Sequence, residues 1–361
     1  MPHTQMPSTD APGDGAGPIR RPGLFGRRGL GGLFAASAAA VFPAVAHAQQ
    51  APVRLPRAAL GGRPEAAAIQ IAAGGRTGTY VRIAEDLASV LDGTGSMLLP
   101  VLTRGSVHNI ALLLGTRGIG AACVQHDALV DLRRRVPDLV ARSIQYALKL
   151  YDEEVHVLVG GGVVDVRQLA GKRVNVDRPD SGTALTAATL FGGLGLAVET
   201  VHDDQATALG KLLRGEIAAL VFVAGKPVDL LSRLGSLEAS GLRLLPLPLN
   251  ATLLDVYAPA RIEASDYPAL AVGGGGIDTL SVATVLAVYA WPPGTEFHEN
   301  LVKFLAAAFE RLPRLRQSRS QFHPKWRDVS ARSVVPGLVP FPPARVLSQS
   351  LAASRAEASP R

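Results

Sequence analysis

The chain has 361 residues, 47% of them hydrophobic, a formal net charge of +7 and a single cysteine, Cys123. One thiol excludes a disulfide within the monomer, so stability must come from core packing, and Cys123 within an apolar run reads as a buried structural thiol. Scattered basic residues, few aromatics and no reader motif exclude nucleic acid as the natural partner; a mild positive balance suits a small anionic ligand or plain solubility.

Residues 1–48 read as an export signal. Arg20, Arg21, Arg27 and Arg28 form a basic region, residues 30–45 are Ala-rich and apolar, and Ala46-His47-Ala48 offers a small-x-small cleavage site. Gly31, Gly32, Ser37 and Pro43 interrupt the apolar run, which is shorter than the ~20 residues of a membrane span. Cleavage is therefore expected rather than an anchor. Arg27-Arg28-Gly29-Leu30 resembles a twin-arginine signal, a pattern shared by ordinary basic regions, so both the Sec and twin-arginine routes stay open. The segment carries four arginines and two aspartates, so the remaining 313 residues keep +5 of the +7. That length suffices for two modest domains. Residues 49–67 read as a flexible linker.

From residue 68 onward strand-like and helical runs alternate. A strand at 69–73 leads through Gly74-Gly75-Arg76-Thr77-Gly78 to a helix at 79–91, with Ile83, Leu87 and Leu91 on one face. Next come a strand at 97–102, a helix at 106–114 with Ser106 as its cap, a buried strand at 119–124 and a helix at 127–135. Arg133-Arg134-Arg135 reads as the solvated end of that helix. A strand at 155–159 ends in Gly160-Gly161-Gly162. A second unit follows, with strands at 173–176 and 218–224 and helices at 183–191 and 206–213. The chain closes on a strand at 282–290 and a helix at 296–311. This succession predicts an α/β fold with mainly parallel strands.

Two strand–loop–helix junctions stand out, 74–80 and 179–183. Glycines permit the tight turns, and free N–H groups at a helix start favour an anion. In open α/β sheets ligands sit beyond the carboxyl ends of strands, so two such units facing each other would place positive helix ends around one cleft.

Catalytic signatures are missing. Gly171-Lys172-Arg173 lacks the spacing of a phosphate loop, His298-Glu299 lacks the second histidine of a zinc-protease helix, and there is no nucleophile elbow. His108, His126 and His156 read as unrelated residues rather than a metal set. The pairs Glu85-Asp86, Glu153-Glu154 and Asp203-Asp204 are sequence neighbours whose side chains point apart, which makes poor acid–base pairs. What remains is a set of small polar residues at element starts, Thr77, Thr79, Ser106, Asn109, Gln125, Ser181 and Thr183. These can bind a carboxylate or hydroxyl group, or simply cap helices and shape turns.

The order and spacing of several blocks resemble a known family. They are Gly74-Gly75-Arg76-Thr77-Gly78-Thr79-Tyr80, Gly105-Ser106-Val107-His108-Asn109, Cys123-Val124-Gln125-His126-Asp127, Leu150-Tyr151-Asp152-Glu153-Glu154-Val155-His156, Ser181-Gly182-Thr183, Phe222-Val223-Ala224-Gly225-Lys226-Pro227 and His323-Pro324-Lys325-Trp326. Together the chain resembles the TAXI (TRAP-associated extracytoplasmic immunogenic) solute-binding proteins of TRAP transporters. The resemblance implies a type II periplasmic-binding-protein-like α/β fold, with two lobes around a ligand cleft and a hinge. It implies lobe I at 68–158 with 250–345, lobe II at 159–249 and a disordered tail at 346–361. It also implies a periplasmic, non-enzymatic and monomeric receptor without a cofactor, which binds a glutamate-like or other organic anion and hands it to the TRAP membrane permease subunits. An ATP-driven (ABC) importer of sulfonates or thiamine precursors would use the same fold, and an exported enzyme or sensor module is the contrasting class. Carried over block by block, the cleft involves Gly75, Arg76, Thr77, Gly78, Thr79, Tyr80, Ser106, Asn109, Gln125, Ser181, Gly182, Thr183, Val223 and Ala224. The family usually has small residues at Arg76 and Thr77, and a small polar one at His126, which leaves its ligand preferences open for this chain. Arg76 is expected to face solvent.

Overall fold

Two strand–loop–helix units open the described chain. β1 (Ala68–Ala72) leads into α1 (Thr79–Leu91), and β2 (Met97–Val101) into α2 (Ser106–Gly115). On α1, spacings of three and four residues bring Tyr80, Ile83, Ala84, Leu87 and Leu91 to one buried face. The computed structural model describes residues 68–92, 94–270, 275–317 and 321–357; the expected export signal and linker lie outside them.

β3 (Ile119–Gln125) is buried at all seven residues and runs straight into α3 (His126–Arg135). Pro137 opens α4 (Pro137–Ser143), where its missing N–H costs no helical bond. β4 (Ile144–Val159) then spans 16 residues, far beyond the five expected at 155–159. The second unit contains β5 (Arg173–Asn175), α5 (Gly182–Gly193), β6 (Glu199–Val201), α6 (Gln205–Leu213) and β7 (Ala219–Ala224). Short pieces follow: α7 (Asp229–Ser232), α8 (Ser236–Ala239), β8 (Arg243–Leu244), α9 (Ala251–Leu254) and β9 (Ala258–Ile262). β10 (Ile277–Tyr289), α10 (Glu296–Gln317) and α11 (Pro342–Glu357) complete it.

The strands hydrogen-bond in the order β2-β1-β3-β10-β4-β7-β5-β6, with β9 on β10 and β8 on β4. The outer groups are parallel, β1 with β2 and β3, and β5 with β6 and β7. The middle is antiparallel. β4 pairs with β10 from Ile144 to Glu154 and with β7 from Glu154 to Val159, so it passes from one group into the other. β10 makes the return, pairing β9 along 277–281 and then β3 and β4. The architecture is the expected α/β fold, two lobes sharing β4 and β10.

Each lobe buries apolar residues on both faces of its sheet. In the first, Ile71, Ile83, Phe304, Phe309 and Trp326 form one cluster, and Ile110, Leu129, Tyr146 and Val285 the other. In the second, alternation along the strands sorts Val155, Val157, Val221 and Val223 to one face, and Leu158, Leu220 and Phe222 to the opposite face. Leu253, Tyr257, Ile262 and Tyr267 join these second-lobe clusters, so chain beyond residue 250, expected in lobe I, packs with lobe II. The expected disordered tail is also corrected over 346–357, which lies in α11, where Leu347 and Leu351 rest on the first-lobe core.

Candidate functional site

Three helix N-termini meet in the gap between the lobes. α1 starts after Gly78 and α2 after Gly105, and neither has a side chain capping its first turn. Ser106, expected as a cap, is instead the first helical residue, and its hydroxyl turns inward to Tyr80 and Gln125. α5 is capped by Ser181, whose Oγ accepts from Ala184 N at 3.0 Å. Gly105 has φ 109°, and a Cβ there would sit 3.3 Å from the backbone N of Gly182. Gly182 has no room for a side chain either: a Cβ would overlap Oε1 of Gln125. Two glycines on opposite lobes thus let the starts of α2 and α5 nearly touch.

Between them lies a cavity of about 60 Å³. Gly75, Gly78, Thr79 and Tyr80 line it from the first loop, and Ser106 and Gln125 from the starts of α2 and α3. Ser181, Gly182 and Thr183 face them across the gap, beside Val223 and Ala224 at the end of β7. Thr183 Oγ1 accepts from Val223 N at 3.2 Å, fixing that wall. Arg76 and Thr77 face away, onto a second space of about 400 Å³ that they share with Arg82, Asp229 and Arg233. Asn109 lies beneath the site, fully buried, donating to the carbonyls of Ala73 and Cys123 and accepting from Thr103 Oγ1. It braces the ends of β1 and β3 and does not line the cavity.

Sequence reasoning missed Gly74, Arg104, Gly105, Glu153, Asp177 and Phe222, which also line it. Glu153 is the most consequential. It is 2% exposed, and its Oε2 accepts from Gln125 Nε2 at 2.7 Å and from Tyr80 OH at 3.2 Å. Ser106 Oγ closes this network, 3.1 Å from Tyr80 OH and accepting from Gln125 N at 3.1 Å. Burial lifts the Glu153 carboxyl well above its usual range, against the lowering effect of the bonds from Gln125 and Tyr80. Burial likewise raises the Tyr80 phenol and keeps it a neutral donor. Asp177 is pushed up to about 6 by burial. A signal for Glu153 did exist: two adjacent acids in an apolar strand must face opposite ways, and one of them therefore faces a void or a partner. Glu154 takes the partner, Lys325 Nζ at 2.6 Å.

The lobes are closed on each other. Thr79 Oγ1 donates to Gly225 O at 2.9 Å, and His108 N to Asp180 O at 3.0 Å. Arg104 pairs with Asp180 at 3.1 Å on the exposed rim. Behind Gln125, Asp127 Oδ2 accepts from Thr186 Oγ1 at 2.7 Å and Tyr257 OH at 3.0 Å, both from the second lobe. Burial raises the Asp127 carboxyl to about 6. Among the described residues no group of three or more His, Cys, Asp or Glu is placed to hold a metal ion, and no helix is long and apolar enough to cross a membrane. The arrangement offers backbone N–H groups, hydroxyls, an amide, the carboxyls of Glu153 and Asp177 and the Arg104 guanidinium, which is equipment for holding a small polar molecule.

A protein from Bordetella bronchiseptica RB50 is similar in structure, with 15% identity, 80% of this chain and 82% of that one covered and a TM-score of 0.47. So are the putative sulfonate ABC transporter periplasmic sulfonate-binding protein SsuA from Methylobacillus flagellatus KT (11% identity, 70% of each chain, TM-score 0.39) and the P235GK mutant of ArgBP from T. maritima (13%, 68% of this chain and 90% of that one, 0.40). In sequence, a family model described as the NMT1-like family matches residues 71–342, well over half of the chain. On that match the protein belongs to the NMT1-like family.

Proposed function

We propose that this protein is an exported solute receptor of the TAXI kind, which closes its two lobes around a small organic anion and delivers it, as a monomer, to TRAP membrane permease subunits. The observation that carries the reading is the convergence of the α1, α2 and α5 N-termini on one cavity, with α1 and α2 uncapped by any side chain. Such ends present orphan N–H groups and the positive pole of the helix dipole, worth most where water is excluded. Thr79, Ser106 and Thr183 add hydroxyls, and Tyr80 forms a wall with a polar tip.

In this reading the lobes divide within β4 near Glu153–Glu154 and within β10 near Ser281–Val282, where each strand passes from one core to the other. Those two crossings are the hinge. A ligand shifts the lobes toward closure only by its differential affinity for the closed state, and contacts made from both lobes supply that difference.

A thermal-shift screen of the full chain against organic acids, amino acids and sulfonates tests the function. A specific ligand at ~100 times its dissociation constant stabilises by about 2.7 kcal/mol. Turnover of the bound solute, or stabilisation by no small anion, would overturn the receptor reading. Delivery to a TRAP permease is tested by capture of the liganded receptor on detergent-solubilised permease subunits, with the ligand-free receptor as control.

A further inference from the structure

We propose that Glu153 meets the ligand as a neutral carboxylic acid, with Oε1–H donated to an oxygen of the ligand's carboxylate, so that this receptor takes up one proton with each anion it closes on. The inference rests on the receptor reading above. It starts from the two oxygens of one carboxyl group. Oε2 already accepts two hydrogen bonds, from Gln125 Nε2 and Tyr80 OH. Oε1 has no hydrogen-bonding partner among the described residues, and it is not among their buried, unpartnered atoms, which leaves it facing the cavity that Glu153 lines. A proton on this group therefore belongs on Oε1, aimed at whatever the cavity holds.

The surroundings favour that proton. The charged or titratable groups facing Glu153 are Tyr80 on α1, Cys123 on β3, Asp127 on α3, and Tyr151 and Glu154 on β4 itself. None is a cation. Among the described residues no Lys, Arg or His lies within ion-pair distance of Glu153, whereas Glu154 on the other side of the strand has Lys325. Arg104, at the mouth of the same cavity, is paired with Asp180. An ionised carboxylate here would be buried without a counter-ion and would repel a second carboxylate entering beside it. The neutral acid removes both penalties and supplies a donor. Desolvation acts in the same direction, raising its proton affinity in the closed lobes.

The linkage has a definite sign. In an open, solvated cleft Glu153 ionises in the ordinary carboxylate range, so near pH 8 closure on an anion draws one proton from solvent. Affinity then falls about tenfold for each pH unit between that range and the higher one in which the closed, liganded form gives up its proton. Asp127 and Asp177, both pushed up to about 6, are largely ionised at pH 8, which leaves Glu153 as the group that reports there.

The test is calorimetry on the full-length chain with succinate, 2-oxoglutarate and L-glutamate, at pH 7 and pH 8, in buffers of different ionisation enthalpy. Uptake of close to one proton per ligand, and a tenfold loss of affinity from pH 7 to 8, are expected. Glu153→Gln keeps a donor at the Oε1 position and an acceptor for Gln125 and Tyr80, so it should bind without proton uptake and without the pH dependence. Binding by the wild type with no proton exchange overturns the inference and leaves the receptor reading intact. Proton release on binding L-glutamate also overturns it, because the inference requires net uptake. If none of the three binds, the thermal-shift screen decides between the two readings: stabilisation by another anion keeps the receptor reading and rejects a carboxylate partner for Glu153, and stabilisation by none rejects both. The wild-type measurement stands even if the variant fails to fold.

Discussion

Gly182 shows how much a single missing side chain contributes to closure. It is the first residue of α5, where alanine is acceptable to the helix, and the obstruction to a Cβ comes from Gln125 on the opposite lobe, with Ser106 Oγ 2.8 Å away. Gly182→Ala should leave the ligand-free protein's stability within about 1 kcal/mol of wild type, because an open cleft relieves the overlap. Ligand affinity should drop at least tenfold, since the closed form can no longer seal. Calorimetry against the best ligand of the screen, with unfolding curves as control, checks this; unchanged affinity would place closure elsewhere. At this scale the sequence exposes position and hides direction. Ser181, Thr183 and Tyr80 were readable as site candidates from loop position and family blocks, and they do line one cavity. Asn109 and Arg76 carried the same signals and point elsewhere, one into a brace between strands and the other to the outer space.

Among elements, the helices and parallel strands follow from periodicity within each segment, and α1 begins and ends where expected. β4 was legible only at its apolar end. Its first two-thirds carry Gln145, Lys149, Asp152, Glu153 and Glu154, polar residues that break the apolar pattern, and the charges among them find partners only in the folded chain: Lys149 with Asp152 at 2.9 Å, Glu154 with Lys325 at 2.6 Å. Such tertiary satisfaction has no local signature, and the strand shared by the two lobes was hidden with it. The C-terminal elements were obscured for a related reason. Asp86 on α1 accepts from His323 N at 2.7 Å and from Trp326 Nε1 at 3.0 Å, a tie across more than 230 residues that holds the 3₁₀ turn Pro324–Asp328 against the first lobe. α11 lies beside it. Ending the chain after residue 345 removes Leu347 and Leu351 from the first-lobe core and should cost about 1–3 kcal/mol, a fraction of two full leucine burials. Denaturant unfolding of the truncated chain checks this, and a midpoint equal to wild type would mean that α11 contributes nothing to the fold.

For the whole molecule, the question is what sets the balance between open and closed lobes when no ligand is bound. Asp127 is the clearest lever, because its two hydrogen-bond donors, Thr186 and Tyr257, both come from the opposite lobe. Opening exposes its carboxyl to water and returns it toward an ordinary value near 3.9, whereas closure holds it at about 6, raised by burial against the bonds from Thr186 and Tyr257. The closed form therefore binds the Asp127 proton more tightly than the open form does. Lowering the pH through 6 toward 4 progressively favours closure; raising it from 4 to 6 imposes a penalty that is complete above 6. The two-unit difference bounds that penalty at roughly 3 kcal/mol, and residual shielding in the open lobes would make it smaller. In small-angle scattering, the ligand-free protein should thus be more compact at pH 4.5 than at pH 7.5. Asp127→Asn should flatten this change while keeping an oxygen for Thr186 and Tyr257, and any dependence left above pH 6 would belong to Glu153. A radius of gyration in the Asn variant that still tracks pH between 4 and 6 as the wild type does would move the switch to Asp177, the other carboxyl at the cleft that burial raises to about 6. Because Asp127 and Glu153 respond to protons in the same direction, an acidic surrounding should tighten binding and an alkaline one should release the solute.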